Sequence, residues 1–191
     1  MVSLTPNTIE SALPRIARGL QKYMAIQERV LQTDVSQDRA FQRLYNGFYR
    51  VRRNVAWQQV YFERMEAEKT HPTEFSGVLT ALWDRLGRVE ASFASKLVAT
   101  LDPHQPVLDA FVLANVGLRL PAAHQPHRLA ETIRCYAALQ DRLSALLQAD
   151  EGQEVLRCFD RAYPDTPITP LKKLDLVLWQ VRSPDTAQRD T

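Results

Sequence analysis

The chain has 191 residues, of which 45% are hydrophobic and 24% charged, values that are typical of a globular protein and exclude a largely disordered chain. Its longest apolar runs, at residues 97–101 and 107–116, are far shorter than the roughly eighteen residues of a membrane span, so no membrane partner is expected. The net charge of +2 excludes an overall basic excess, and a nucleic-acid partner would have to be contacted by a local patch.

The pattern of residues predicts an all-α protein. Only six glycines occur, the eleven prolines cluster at plausible element ends, and no segment alternates apolar with polar residues as a strand does. We therefore expect a single compact multi-helix domain of about eight to ten helices over residues 1–182. The polar residues 183–191 are expected to form a disordered tail.

The first half of the chain contains four predicted helices. Thr5 and Pro6 open a short one, and an amphipathic helix follows through about residue 31. Ser36 is expected to cap a helix over 37–47, which continues as a helix over 48–69. The next helix, over 75–86, is expected to end at Gly87 in the left-handed conformation that glycine tolerates.

The second half begins with a helix of small residues over 89–101 and a proline-containing turn. The run 107–118 is apolar except for Asp109 and Asn115, which predicts a helix inside the protein. Helices follow over 127–148 and 151–163, and Thr169 with Pro170 opens the last one. The apolar stripe of 127–148 fits either core packing or a short coiled coil, and core packing is favoured.

One local cluster combines basic and aromatic residues. It consists of Arg50, Arg52 and Arg53 with Tyr45, Tyr49 and Trp57 nearby. On a continuous helix, Tyr49, Arg53 and Trp57 would lie along one side. Guanidinium groups beside aromatic rings suit contacts with phosphates and bases, which makes the three arginines candidate nucleic-acid-binding residues. In the alternative interpretation the arginine stems cover apolar neighbours and their charges pair with nearby acids.

Asp109 is the candidate functional carboxylate. It lies in an otherwise apolar run, so it is expected either at the start of a helix or partly buried. As an N-cap it would accept hydrogen bonds from the amides of Phe111 or Val112. Both interpretations stay open at the level of the sequence.

Motifs for other chemistry are absent from the sequence, which contains no phosphate-binding glycine loop, zinc-protease motif or nucleophile elbow. His124 and His127 could share a metal only with a loop carboxylate, and we expect no metal and no cofactor. Cys135 and Cys158 have no partner at metal-ligand spacing and are expected to be buried. The N-terminus does not resemble a secretory signal, so a cytoplasmic location is expected.

The segment 87–118 resembles the core of the helix-hairpin-helix DNA glycosylases, the endonuclease III-like superfamily. Gly87 in a hairpin position, a helix of small residues, a proline turn and an aspartate follow one another in the order of that family. The resemblance implies that Asp109 matches the catalytic aspartate. Ala91 occupies the place of the lysine nucleophile of bifunctional members, and Lys96 is the nearby lysine. Residues 95–97, 106–109 and 172–179 are also similar to uncharacterised bacterial helical proteins, which implies a fold without a function.

The leading hypothesis is a DNA-glycosylase-like helical protein that binds nucleic acid without the usual lysine nucleophile, and more a binding protein than an enzyme. Its candidate residues are Asp109 and Lys96 as catalytic groups and Arg50, Arg52 and Arg53 as nucleic-acid ligands. A second hypothesis is a helical protein-interaction module without catalysis, in which the helix over 127–148 or the one over 48–69 presents an apolar stripe to a partner or to a second copy in a homodimer. The third is an active lyase or glycosylase in which Lys96 forms an imine and Asp109 transfers protons.

Overall fold

A computed structural model of the chain describes residues 3–71 and 73–181. All regular elements in these ranges are helical, which confirms the all-α prediction and its helix count. They are a 3₁₀ turn at Leu13–Arg15 and the α-helices α1 (Pro6–Ala12), α2 (Ala17–Val30), α3 (Arg39–Tyr49), α4 (Val55–Glu68), α5 (Phe75–Leu86), α6 (Ala91–Leu101), α7 (Ala110–Asn115), α8 (Arg128–Gln148), α9 (Asp150–Ala162) and α10 (Pro170–Gln180). Within the described ranges, every helix is too short or too polar to cross a membrane.

The helices belong to two compact units. The central unit is Arg18–Asp102 and contains α3 to α6 with nearly all of α2. The terminal unit combines Met1–Ala17 with Pro103–Thr191 and contains α1 and α7 to α10. A single domain over 1–182 stays a prediction, and the predicted tail at 183–191 lies outside the described residues.

Side-chain caps begin five of the ten α-helices in the described residues. The side chains of Thr5, Asp38, Asn54, Asp109 and Thr169 each accept a hydrogen bond from a backbone N–H in the first turn of their helices. α5 has the predicted bounds and ends at Gly87, whose φ of 67° is the expected left-handed conformation. α6, α8 and α9 begin and end within two residues of their predicted bounds, while α7 is shorter than the predicted 107–118.

The predicted helix over 48–69 is wrong, because the chain turns between Tyr49 and Val55. Arg50 has a φ of 54° and closes α3 in the left-handed conformation. Asn54 then begins α4 by accepting a hydrogen bond from the amide of Trp57 at 2.9 Å. The predicted cap of the preceding helix is also wrong: Asp38 caps α3, and Ser36 instead bonds to Asp34. In both places a better side-chain acceptor determines where the helix starts.

Aromatic side chains form the core of the central unit. Phe41, Tyr45, Tyr61 and Phe62 are fully buried. The hydroxyls of Tyr45 and Tyr61 lie 2.7 Å apart, and that of Tyr61 donates to the carbonyl of Phe93 at 2.9 Å. Burial raises the pKa of Tyr45 and Tyr61 well above the ordinary value, so both remain neutral donors. This hydrogen-bonded pair connects α3 and α4 to the first turn of α6.

The terminal unit packs around α10. Leu174, Val177 and Leu178 of that helix are completely buried, and α7, α8 and α9 all contact it. α8 buries Leu139 and Leu143 of its apolar stripe inside this unit. This burial confirms core packing, the favoured interpretation of that stripe.

Replacing Gly152 with alanine is expected to destabilise the terminal unit by about 1–3 kcal/mol, the usual cost of overpacking. Gly152 lies in the first turn of α9, where an added Cβ would be 1.9 Å from the backbone oxygen of Leu146. Since backbone atoms cannot rotate away, the junction of α8 and α9 must shift. Urea denaturation measures the change in the free energy of unfolding.

Gly47→Ala is the matched control, because nothing lies within 4 Å of a Cβ at Gly47. Gly47 is exposed in α3, so alanine there is expected to be neutral or to add up to about 1 kcal/mol of helix propensity. Equal stabilities of the two variants would contradict the expected steric clash.

Candidate functional site

The predicted site residues fall into the two units. Arg50, Arg52, Arg53 and Lys96 belong to the central unit, and Asp109 belongs to the terminal unit. Within the central unit, the side chains of Arg53 and Lys96 contact the same aromatic ring. The candidate site is therefore described from the central unit.

A buried carboxylate organises the basic residues there. Glu90, the N-cap residue of α6, is only 5% exposed. One of its oxygens is 3.0 Å from Nη2 of Arg53, and the other is 3.2 Å from Nε of Arg88. The indole nitrogen of Trp57 donates to that second oxygen at 3.1 Å. Because one carboxylate binds two guanidinium groups, the three charged side chains together have a net positive charge.

The ring of Phe93 contacts two cations. Its centroid is 5.3 Å from Cζ of Arg53 and 5.0 Å from Nζ of Lys96, distances at which a cation is attracted to an aromatic ring. Arg53 also lies 5.7 Å from the ring of Trp57, and Lys96 lies 5.8 Å from that of Tyr49. We call this group the basic–aromatic cluster, which comprises Tyr49, Arg53, Trp57, Glu90, Phe93 and Lys96.

Part of this cluster was predicted, but with the wrong local structure. Tyr49, Arg53 and Trp57 were expected on one helix, but they come from the end of α3, the following turn and the first turn of α4. Glu90 and Phe93 were missed. Their signal was the three-residue spacing of 90, 93 and 96, which places an acid, an aromatic ring and a lysine on one side of α6.

Exposed arginines flank the cluster. Arg50 and Arg52 are exposed in the turn between α3 and α4, and Arg88 is 59% exposed although it contacts Glu90. Residues 18–53 contain eight Lys or Arg and three Asp or Glu, so this part of the chain is far more basic than the whole. Exposed arginines therefore lie next to the cluster in both of the chain segments that contain Arg53 and Glu90.

Asp109 caps α7 in the terminal unit. Its Oδ1 accepts a hydrogen bond from the amide of Phe111 at 2.8 Å, as the N-cap interpretation expects. α7 has only six residues, so the cap is a large share of its hydrogen bonding. A catalytic role of Asp109 stays a prediction.

Thiols and metal ligands offer little chemistry in the described part of the chain. No group of three His, Cys, Asp or Glu residues there could hold a metal ion. Cys135 is half-buried and Cys158 buried. Burial raises the pKa of both thiols, which disfavours the nucleophilic thiolate.

Comparison of the chain with protein-family models, with curated proteins and with solved structures finds no match. The glycosylase resemblance of residues 87–118 thus stays a prediction. A homodimer also stays a prediction. The basic–aromatic cluster is the arrangement from which a function can be argued.

Proposed function

We propose that the chain binds nucleic acid through the central unit. The contact surface would be the exposed Arg50 and Arg52 together with the half-buried members of the basic–aromatic cluster, Arg53, Phe93 and Lys96. One observation supports the proposal most: two cations, Arg53 and Lys96, share the ring of Phe93 next to exposed arginines. Cations neutralise phosphates, and aromatic rings beside them provide apolar contacts for bases and sugars.

The basic residues would have different roles. One guanidinium nitrogen of Arg53 is bound to Glu90, and its carbon lies over two aromatic rings, so this side chain is held in place. Arg52 is exposed and makes no hydrogen bond or ion pair with any residue that the structure describes. It is therefore free to bind a phosphate, and Arg53 would keep the adjacent rings ordered.

The proposal requires no catalysis. Lys96 supplies a positive charge beside Phe93, and no imine chemistry is needed for that role. The resemblance to the DNA glycosylases favours DNA as the ligand. The chain would bind DNA without the usual lysine nucleophile, because Ala91 occupies its place.

Fluorescence anisotropy of labelled single-stranded, duplex and abasic duplex DNA at two salt concentrations tests the proposal. The wild-type chain is expected to bind, and its affinity is expected to fall steeply with salt because bound counterions are released. Arg52→Glu is expected to weaken binding about tenfold at low salt and to flatten the salt dependence by about one phosphate contact.

The matched control is Arg39→Glu, which changes the net charge equally. Arg39 is exposed in the first turn of α3, roughly 16 Å along the helix from Arg50. It is expected to change affinity less than about twofold. Absence of binding at low salt, or equal losses in the two variants, would overturn the proposal.

A further inference from the structure

An exposed tryptophan lies on the helix that leads into the cluster. Trp83, in the last turn of α5, is 43% exposed. Of the two other tryptophans, Trp57 is buried and Trp179 is half-buried. An exposed indole ring can stack on a planar ligand, which a buried one cannot do.

The chain that follows Trp83 is exposed and contains two arginines. One turn further along is Gly87, where nothing lies within 4 Å of an added Cβ. Arg85 and Arg88 follow on the same segment, and their side chains are 61% and 59% exposed. An open aromatic side chain with cations nearby is complementary to a planar base on an anionic backbone.

Trp83 lies at the same end of the α5–α6 pair as the cluster. α5 and α6 pack together, and only the four residues 87–90 connect them. The amide of Gly87 donates to the carbonyl of Trp83 at 2.8 Å, and Glu90 ends the same connection. One strand would thus place its phosphates at Arg88 and the cluster and a base on Trp83.

We infer that the ligand of the central unit is a single strand and that Trp83 stacks on one of its unpaired bases. This inference rests on the proposed function. In a duplex, both faces of each base are covered by neighbouring pairs, so an indole gains a stacking contact only by unstacking them. A single strand exposes base faces without that cost, and stacking tolerates any sequence.

The experiment compares a labelled mixed-sequence DNA strand of about 20 nucleotides with the same strand in a duplex, at low salt. The wild-type chain is expected to bind the single strand more tightly. Trp83→Ala is expected to weaken single-strand binding about 5- to 100-fold, the range of a lost base stack, and to leave duplex binding within about twofold. Trp83→Phe, which keeps an aromatic ring, is expected to retain most of the affinity.

Intrinsic tryptophan fluorescence gives a second measurement. Unlabelled single strand is expected to quench the emission of the wild-type chain, and Trp83→Phe is expected to lose most of that quenching. If Arg52→Glu weakens binding and Trp83→Ala does not, the nucleic-acid site stands and the stacking role is overturned. If the wild-type chain binds neither DNA, the proposed function and this inference both fail.

Discussion

Replacing Asn115 with leucine is expected to destabilise the terminal unit by about 2–4 kcal/mol, although leucine has a similar size. Asn115 is 4% exposed, and its side-chain amide donates to the carbonyls of Leu178 at 2.8 Å and Val181 at 3.1 Å. These carbonyls belong to the last turn of α10 and to its C-cap residue, Val181, whose backbone is extended. Leucine would leave two buried acceptors without this donor, at about 1–3 kcal/mol each.

Urea denaturation of wild type and Asn115→Leu measures the difference in the free energy of unfolding. Asn7→Leu is the control, because Asn7 is exposed in α1 and its loss is expected to change stability by less than about 0.5 kcal/mol. Similar effects at the two sites would show that the amide of Asn115 does not hold the end of α10.

Local chemistry made much of the helical structure predictable. Gly87 ended α5 where its φ of 67° was expected, and Asp109 began a helix by capping it. Pro170 follows a threonine cap at the start of α10, as predicted. Each of these features depends on residues within one turn of one another, so the sequence contains the whole cause.

Features that depend on distant partners were not predictable. The sequence shows Asn115 as a polar residue in an apolar run, but its acceptors are 63 and 66 residues further along the chain. The turn at residues 50–54 was missed because Arg50 is not a residue type that marks a left-handed helix end. Apolar residues continue at helical spacing across that turn, so the pattern predicts an uninterrupted helix.

The candidate site was predictable only in part for the same reason. Arg53 and Trp57 are close in sequence, so their proximity could be expected. Glu90, which binds both of them, is 37 and 33 residues away. A lone acid before a helix of small residues is ordinarily a solvent-exposed helix start, and only packing makes it a buried carboxylate.

Glu90→Ala is therefore expected to destabilise the central unit by about 2–4 kcal/mol. It removes an acceptor from the buried indole nitrogen of Trp57 and the ion-pair partner of Arg53, whose side chain is 29% exposed. Glu90→Gln is expected to lose less stability, because an amide oxygen can still accept the hydrogen bond from Trp57. Urea denaturation followed by tryptophan fluorescence measures both losses.

Glu63 provides the matched control, since it also pairs with an arginine of the central unit. Its contact with Arg85 at 3.4 Å joins side chains that are 44% and 61% exposed, so Glu63→Ala is expected to cost less than about 0.5 kcal/mol. If Glu90→Ala cost no more than Glu63→Ala, Glu90 would have no organising role in the cluster.

Glu90→Gln also tests whether nucleic-acid binding depends on the positions of the nearby arginines or only on their charge. The variant is more positive by one charge, and electrostatic attraction alone would raise its affinity for a single strand. We expect the affinity to fall instead, by about two- to tenfold, because Arg53 and Arg88 lose the carboxylate that holds them beside Trp57 and Phe93. Anisotropy titrations under conditions where the variant is folded measure the change. A rise in affinity would show that the arginines act as charges alone and that Glu90 contributes only stability.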